Sequence, residues 1–395
     1  VTNFSPDSRP RIVVATTGDA RRRDEAGRYA ALGATSELRV VRLGRVGEPT
    51  RNEPSASPFG EIIVPRSTQH LQSERILQQS IEFDVSRASL GTLLPASPAY
   101  LAALQEAAAD SDVCIVSDAT LLPAVRAYVR LPTIYDAPCV ESLAPGLLED
   151  RPEWQRTLVS FPSRAEREAL AWIDAVIARC DEDRDAFTQR TSAPVVVVPP
   201  VLEDDPRRLR TPLERERAKA ERGLAGKRIG IYVGTGTVAN VAAMLALPTL
   251  SGGVDALLIV GNVARNVIGD ALPRPLRITG EVSEDELDAL LGLADVALEP
   301  TSTGNGISRK VIAYVRAGVP VVTTPAGLRG LPLAPERDVL CGPLDAFPQL
   351  IARTFADPAA AQARAARAKG ALLAAFTPDA ARLRFERMLR DVFQH

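Results

Sequence analysis

The sequence predicts an α/β protein built from two doubly wound parallel sheets. Three observations carry this. Short β-branched runs recur along the chain, and several are apolar on both faces, as strands covered by helices on both sides are. Helical segments separate them, which is the rhythm of parallel sheets. The rhythm breaks once, midway, and restarts. A chain of 395 residues is too long for one ordinary core and suits two domains.

The first-half runs are RIVVATT (11–17), LRVVRLG (38–44), EIIVP (61–65), DVCIVSD (112–118), PTIYDAP (132–138), DAVIARC (174–180) and PVVVVPP (194–200). Helical segments such as DARRRDEAGRYAALG (19–33) and PAYLAALQEAAAD (98–110) lie between them. VPPVLEDDPRRLRTP (198–212) is rich in proline and charge, has no apolar period, and reads as an interdomain linker. The second-half runs are RIGIYVG (228–234), DALLIVG (255–261), LRITG (276–280), DVALEP (295–300), PVVTTP (320–325) and DVLCG (338–342). Alanine- and arginine-rich helices close the chain from about 357 to 393. The expected domains are 1–200, joined by a terminal helix at 377–395, and 201–376. Ligands of open α/β sheets bind outside the carboxyl ends of the strands. Both sheets are expected to turn those ends toward a central cleft, with closure excluding water.

Composition narrows the function. Lys plus Arg is 47 against 49 Asp plus Glu, so the formal charge of -2 leaves no footprint for nucleic acid. Arg21-Arg22-Arg23 is followed at once by Asp24 and Glu25 and reads as a solvated helix face. Cys114, Cys139, Cys180 and Cys341 lack CxxC spacing, and His70 and His395 are the only imidazoles, which argues against a zinc site. The cysteines are expected reduced and buried, as in a cytoplasmic protein. No apolar run reaches the roughly 18–20 residues of a membrane span, and the opening VTNFSPDSRP lacks a signal-peptide pattern. Contact with a membrane surface through an apolar patch stays open. His70, in the polar stretch RSTQHLQSER, reads as a surface residue in a loop or helix start.

The informative stretch runs from Gly280 to Leu331. It contains Gly-x-x-Ser-x-x-Glu-Leu from Gly280, Ala-Asp-Val at 294–296, Gly-x-Gly-x-x-x-Lys at Gly304, Gly306 and Lys310, and Ala-Gly-Val-Pro-Val-Val at 317–322. This pattern resembles the donor-binding domain of retaining GT-B glycosyltransferases (glycosyltransferase family 4-like, group 1), whose fold is two Rossmann-like domains. Each piece has a physical reason. Gly304 and Gly306 let backbone approach a ligand without a Cβ in the way. The following helix offers free N–H groups and a partial positive charge to a diphosphate. Lys310, one of four lysines, is a compact counter-charge for phosphate. Thr303, Gly304, Gly306 and Ile307 are therefore expected, with Lys310, to bind the donor.

A second glycine turn, Gly234-Thr235-Gly236, resembles the family's first phosphate-side turn, with Asn240 before an apolar helix. Gly261 ends the next strand in the same way. Glu281-Val282 sits where the family frames the nucleotide base. In the first half, Gly18–Arg45 resembles the family's first helix and second strand, so that Thr17-Gly18-Asp19 would face the donor phosphates. TIYDAPCVESL (133–143) resembles the strand and loop that bring acidic groups near the acceptor, and Asp136 and Glu141 are its candidate carboxylates. Ser163–Phe187 resembles the passage that closes this domain. The resemblance spans nearly the whole chain, and its motifs are specific mainly between Gly280 and Leu331.

The chain also departs from the family. Many relatives carry two glutamates eight positions apart, the second gripping the donor ribose. Asn305 and Ala313 stand there instead. Losing the ribose contact would cost about 1.5–3 kcal/mol. Asn305 can still hydrogen-bond sugar hydroxyls. The histidine many relatives carry after the acceptor-side strand is replaced by Asp136-Ala137-Pro138.

The resemblance implies transfer of a sugar from a nucleoside diphosphate sugar to an acceptor hydroxyl with retention. Lys310, Asp136 and Asn305 are the catalytic candidates. No cofactor and no metal are expected, since Glu203-Asp204-Asp205 lies in the linker. The acceptor is open among a glycan, a lipid-linked glycan, a natural product and a polypeptide, and a partner glycosyltransferase is a further candidate. The losses at Asn305 and Ala313 keep an alternative alive: a GT-B-shaped accessory subunit that turns over no donor. A dinucleotide-dependent oxidoreductase fits the sheets but lacks a full G-x-G-x-x-G; the run from Gly234 ends in Ala239.

Overall fold

Every β-branched run named above forms a strand. The structure, a computed structural model, describes residues 9–18, 23–44, 51–53, 59–81, 86–141, 152–202, 210–264, 276–302 and 306–394. The chain divides into two compact units, one of residues 1–81, 85–203 and 376–395, the other essentially residues 204–375.

The first unit holds β1 (Arg11–Thr16), β2 (Glu37–Leu43), β3 (Arg51–Glu53), β4 (Gly60–Val64), β5 (Val113–Val116), β6 (Thr133–Asp136), β7 (Ala175–Ala178) and β8 (Val195–Val197). Their order is β3-β4-β2-β1-β5-β6-β7-β8, parallel throughout except for β3, which runs antiparallel to β4. The sequence reading missed β3 because its residues, Arg-Asn-Glu, carry no apolar or β-branched signal. Both faces are covered, which explains the runs without alternation. Val13 and Ala15 pack with Tyr100 and Leu104. Ile12 and Val14 pack with Tyr29, Leu32, Phe385 and Met388. Phe385 and Met388 belong to the last helix, Pro378–Gln394, which is part of this unit.

The second unit holds β9 (Ile229–Val233), β10 (Ala256–Val260), β11 (Leu276–Gly280), β12 (Val296–Glu299), β13 (Val321–Thr323) and β14 (Leu340–Cys341). The order is β11-β10-β9-β12-β13-β14, and every pair is parallel. In each unit the strand order reverses once, between β1 and β5 and between β9 and β12. Those reversals are where open α/β sheets leave a crevice for ligands.

A buried lysine ties the amino edge of the second sheet. Lys219 Nζ donates to both oxygens of Asp295 (2.9 and 2.7 Å), to Glu216 Oε1 (2.7 Å) and to the Lys227 carbonyl (2.9 Å). Asp295 also accepts from the Ile229 amide at 2.8 Å, which joins β12 to β9. The Lys219 helix, Pro212–Glu221, starts from a reciprocal Thr211–Glu214 capping box. Lys219→Met leaves carboxylates facing an apolar tip and is expected to cost about 3–5 kcal/mol in urea unfolding. Arg222→Ala, which breaks an exposed pair with Glu286, should cost no more than about 1 kcal/mol. Equal costs for the two would remove Lys219 from this role.

His70 departs from expectation. It is fully buried in the helix Thr68–Gln79, and its Nδ1 lies 3.0 Å from Ser97 Oγ. Burial, with the charge of Arg66, lowers its pKa to about 4. All four cysteines are free; Cys114 and Cys180 are buried, whereas Cys139 and Cys341 are only half-buried. Among the described residues no helix is long and apolar enough to cross a membrane.

Candidate functional site

The switch point of the second unit gathers most of the residues singled out in the sequence. After β9 the chain makes the Gly234–Gly236 turn. Gly234 is held by the end of β10 and the loop after it: its N donates to Val260 O (2.9 Å), and Val263 N donates to its O (3.2 Å). Gly236 N donates to Asn262 Oδ1 at 2.7 Å. Gly261 makes this close approach feasible. Its φ is +100°, and a Cβ there would lie 2.2 Å from Gly234 O. Only glycine satisfies both conditions.

Lys310 enters the same place from the other side of the switch point. The helix Arg309–Arg316 starts at the N-cap Ser308, whose Oγ accepts from Val311 N. Val311, Ile312, Tyr314 and Val315 form its buried face. Tyr314 Oη accepts from the Val233 amide at 2.8 Å, which fixes the helix to the end of β9. Lys310 is therefore in the first helical turn. Its Nζ donates to Asn240 Oδ1 (2.9 Å) and Thr301 Oγ1 (3.2 Å) and pairs with Glu299 Oε1 (2.8 Å). It also lies 5.0 Å from the centroid of the Tyr232 ring. Asn240 Nδ2 donates to Thr235 Oγ1 at 3.0 Å, so one amide connects the glycine turn to the lysine.

Glu299 was not singled out from the sequence. It ends β12, its side chain is 1% exposed, and Thr301 donates to the oxygen that holds Lys310. Its other oxygen, Oε2, has no hydrogen-bond partner among the described residues. Burial, with the Glu299 charge, pushes the Tyr232 phenol well above its ordinary pKa. The signal was present: a carboxylate closing an otherwise apolar strand needs a partner once buried.

The remaining residues named for this site lie along the same edge or outside the described residues. Gly306 is buried with φ +70°, and Ile307 is half-buried. Gly261 N donates to Gly280 O at 2.7 Å, which places Glu281, exposed, and Val282, half-buried, just past β11. The carboxyl ends of four neighbouring strands, β11, β10, β9 and β12, thus carry Glu281, Gly261, the Gly234–Gly236 turn and Glu299. Thr303, Gly304 and Asn305 lie outside the described residues. Ala313 is half-buried on the Lys310 helix.

The first unit presents a different picture. Gly18 follows β1, its amide donating to Thr16 Oγ1 at 3.0 Å. Thr17 Oγ1 donates to Asp118 Oδ2 at 2.7 Å across the β1/β5 reversal. Asp136, expected as a catalytic carboxylate, is instead the centre of a buried ion-pair cluster. Arg28 donates to both its oxygens (2.9 and 2.8 Å), and so does Arg179 (2.5 and 3.3 Å). Burial alone would raise its pKa, but the charges of Arg179 and Arg28 and their hydrogen bonds outweigh that and hold it at about 2. A 2% exposed carboxylate with both oxygens engaged offers no base to a substrate. Glu141 is half-buried. It pairs with Arg87, and Arg87 also reaches Asp118 at 3.4 Å. Burial works against the Asp118 charge, but Arg87 and the Thr120 and Thr17 hydrogen bonds keep its pKa low. Arg87, missed in the sequence, is the half-exposed cation of this edge. Among the described residues no group of three or more His, Cys, Asp or Glu is placed to hold a metal ion.

Two Rossmann-like α/β units of this topology define the GT-B fold. Residues 237–357 match the family described as glycosyl transferases group 1, and these residues include Asn240, Glu299 and Lys310. No curated protein matches the chain by sequence. Solved structures do. Sucrose-phosphate synthase from Thermosynechococcus elongatus is 16% identical with a TM-score of 0.70, over 98% of this chain and 100% of that one. HepE from Anabaena, in complex with UDP and glucose, is 13% identical with a TM-score of 0.66, over 96% and 99%. A trehalose-6-phosphate structure from E. coli bound with UDP-2-fluoro glucose is 14% identical with a TM-score of 0.61, over 98% and 99%. At these identities the likeness is one of fold.

Proposed function

We propose that the protein transfers a sugar from a nucleoside diphosphate sugar to an acceptor hydroxyl, with retention and without a metal ion. The observation that carries this reading is the joining of Lys310, through Asn240, to the Gly234–Gly236 turn at the β9/β12 reversal. A close-packed glycine turn, a helix start and an ammonium then share one edge, which suits a diphosphate. Similar solved structures contain UDP, glucose or UDP-2-fluoro glucose, and they support the donor class. In this reading the second unit binds the donor and the first the acceptor. Negative charge develops on the departing diphosphate, and the first-turn N–H groups of the Arg309–Arg316 helix with Lys310 stabilise it. The leaving diphosphate can take the acceptor proton, so no strong protein base is required, in keeping with the engaged state of Asp136.

The test is a calorimetric and thermal-shift screen of the purified protein against UDP-, GDP- and dTDP-sugars. One nucleotide class should raise the melting temperature, and turnover of that donor should survive a chelator. Loss of turnover in chelator, restored by magnesium or manganese, would contradict the metal-free mechanism. A second reading, an accessory subunit that turns over no donor, is favoured by Ala313 and by the internal pairing of Lys310. Absence of a shift with every nucleotide would select it.

A further inference from the structure

Lys310 has three N–H donors, and Glu299, Asn240 and Thr301 supply an acceptor for each. A donor diphosphate can reach the ammonium only by taking the place of one of them. Asn240 and Thr301 are neutral. Glu299 is the one that carries the same sign of charge as the ligand. It cannot swing out to solvent cheaply. It closes β12 at 1% exposure, and a Cβ on Gly327 would already lie 3.0 Å from its Cγ. Its Oε2 is a buried acceptor without a hydrogen-bond partner among the described residues. A carboxylate held only to orient a lysine would be expected to have both oxygens bonded, as Asp136 has.

We propose that Glu299 is a built-in competitor of the donor diphosphate for Lys310, a specificity-determining residue that keeps nucleotide binding weak. This rests on the donor-site reading above. The pair presents little net charge, so the site gains less from a nucleoside diphosphate than an unpaired lysine would. The product nucleotide carries more negative charge than the donor sugar, so the competition acts most strongly on product and promotes its release.

The experiment compares binding of UDP, GDP and dTDP, and of the matching nucleosides, to the wild-type protein and to Glu299→Gln. Glutamine keeps the shape and an oxygen for Lys310 while removing the charge. The nucleoside diphosphate should bind about tenfold more tightly to the variant. The nucleoside should bind equally to both, because it has no phosphate to compete. Glu299→Asn, neutral but shorter, reads the same effect if the glutamine variant does not fold. Unchanged or weaker diphosphate binding in the variant, with binding intact in the wild type, overturns this inference and leaves the donor site standing. Binding to neither protein overturns both. Binding to the variant alone establishes the competition in its strongest form.

Discussion

Lys310→Ala is expected to lower donor turnover about 10²–10³-fold, the range for removing one preorganised group that stabilises developing charge. Binding of the nucleoside diphosphate should weaken as well. The variant does two things at once, and they must be separated. It removes the ammonium placed at the β9/β12 reversal. It also leaves Glu299, 1% exposed, with an uncompensated charge. Breaking a buried pair from one side costs about 3–5 kcal/mol, mostly from the stranded partner. Lys310→Ala should therefore unfold at lower urea than the wild type. The double variant Lys310→Ala with Glu299→Gln should recover most of that stability and none of the turnover. Unfolding midpoints and single-turnover rates on the three proteins check this. Wild-type turnover in Lys310→Ala would remove the lysine from the mechanism. Recovery of turnover in the double variant would show that the loss had been one of folding.

The strands were legible because their chemistry is local. Val13 and Val14 face opposite cores, and both are apolar because helices cover both faces. The reversals at β1/β5 and β9/β12 were not legible, since strand order is a long-range property. At the site, the glycines and Lys310 were legible through a motif. Gly261 shows why such a motif exists: a carbonyl stands where a Cβ would go. Glu299 and Arg87 were missed because their importance lies in what they meet. Glu299 finds Lys310 eleven residues on, and Arg87 finds Asp118 and Glu141, 31 and 54 residues away. Asp136 shows the converse error. A carboxylate at the carboxyl end of a strand looks catalytic until the two arginines that grip it are seen. His70 was misread for a related reason: the polar neighbours in its stretch conceal a helix face on which His70 and Glu74 are both buried.

Asp136→Ala is expected to cost at least about 3–5 kcal/mol, because it leaves two guanidiniums facing each other, with Arg28 2% and Arg179 6% exposed. Glu25 offsets part of this, from 3.3 Å on Arg28 and 3.8 Å on Arg179. The cluster joins the end of β6, the residue after β7 and the helix Arg23–Gly33. Arg28 also lies over the Phe385 ring at 5.7 Å, so the loss should reach the last helix. Hydrogen exchange in Pro378–Gln394 should quicken in the variant. Linkage gives the pH dependence. The Asp136 pKa is about 2 when folded and about 3.9 when unfolded. Its contribution is therefore complete above about pH 5 and is lost progressively as pH falls through about 2, amounting to roughly 2–3 kcal/mol. In urea titrations from pH 5 to 2, the wild type should lose most of this increment, whereas Asp136→Asn should start lower and lack the dependence. A catalytic role would leave a different mark. If Asp136→Asn unfolded like the wild type at pH 7 and had lost its turnover, the carboxylate would belong to the chemistry and the ion-pair assignment would fall.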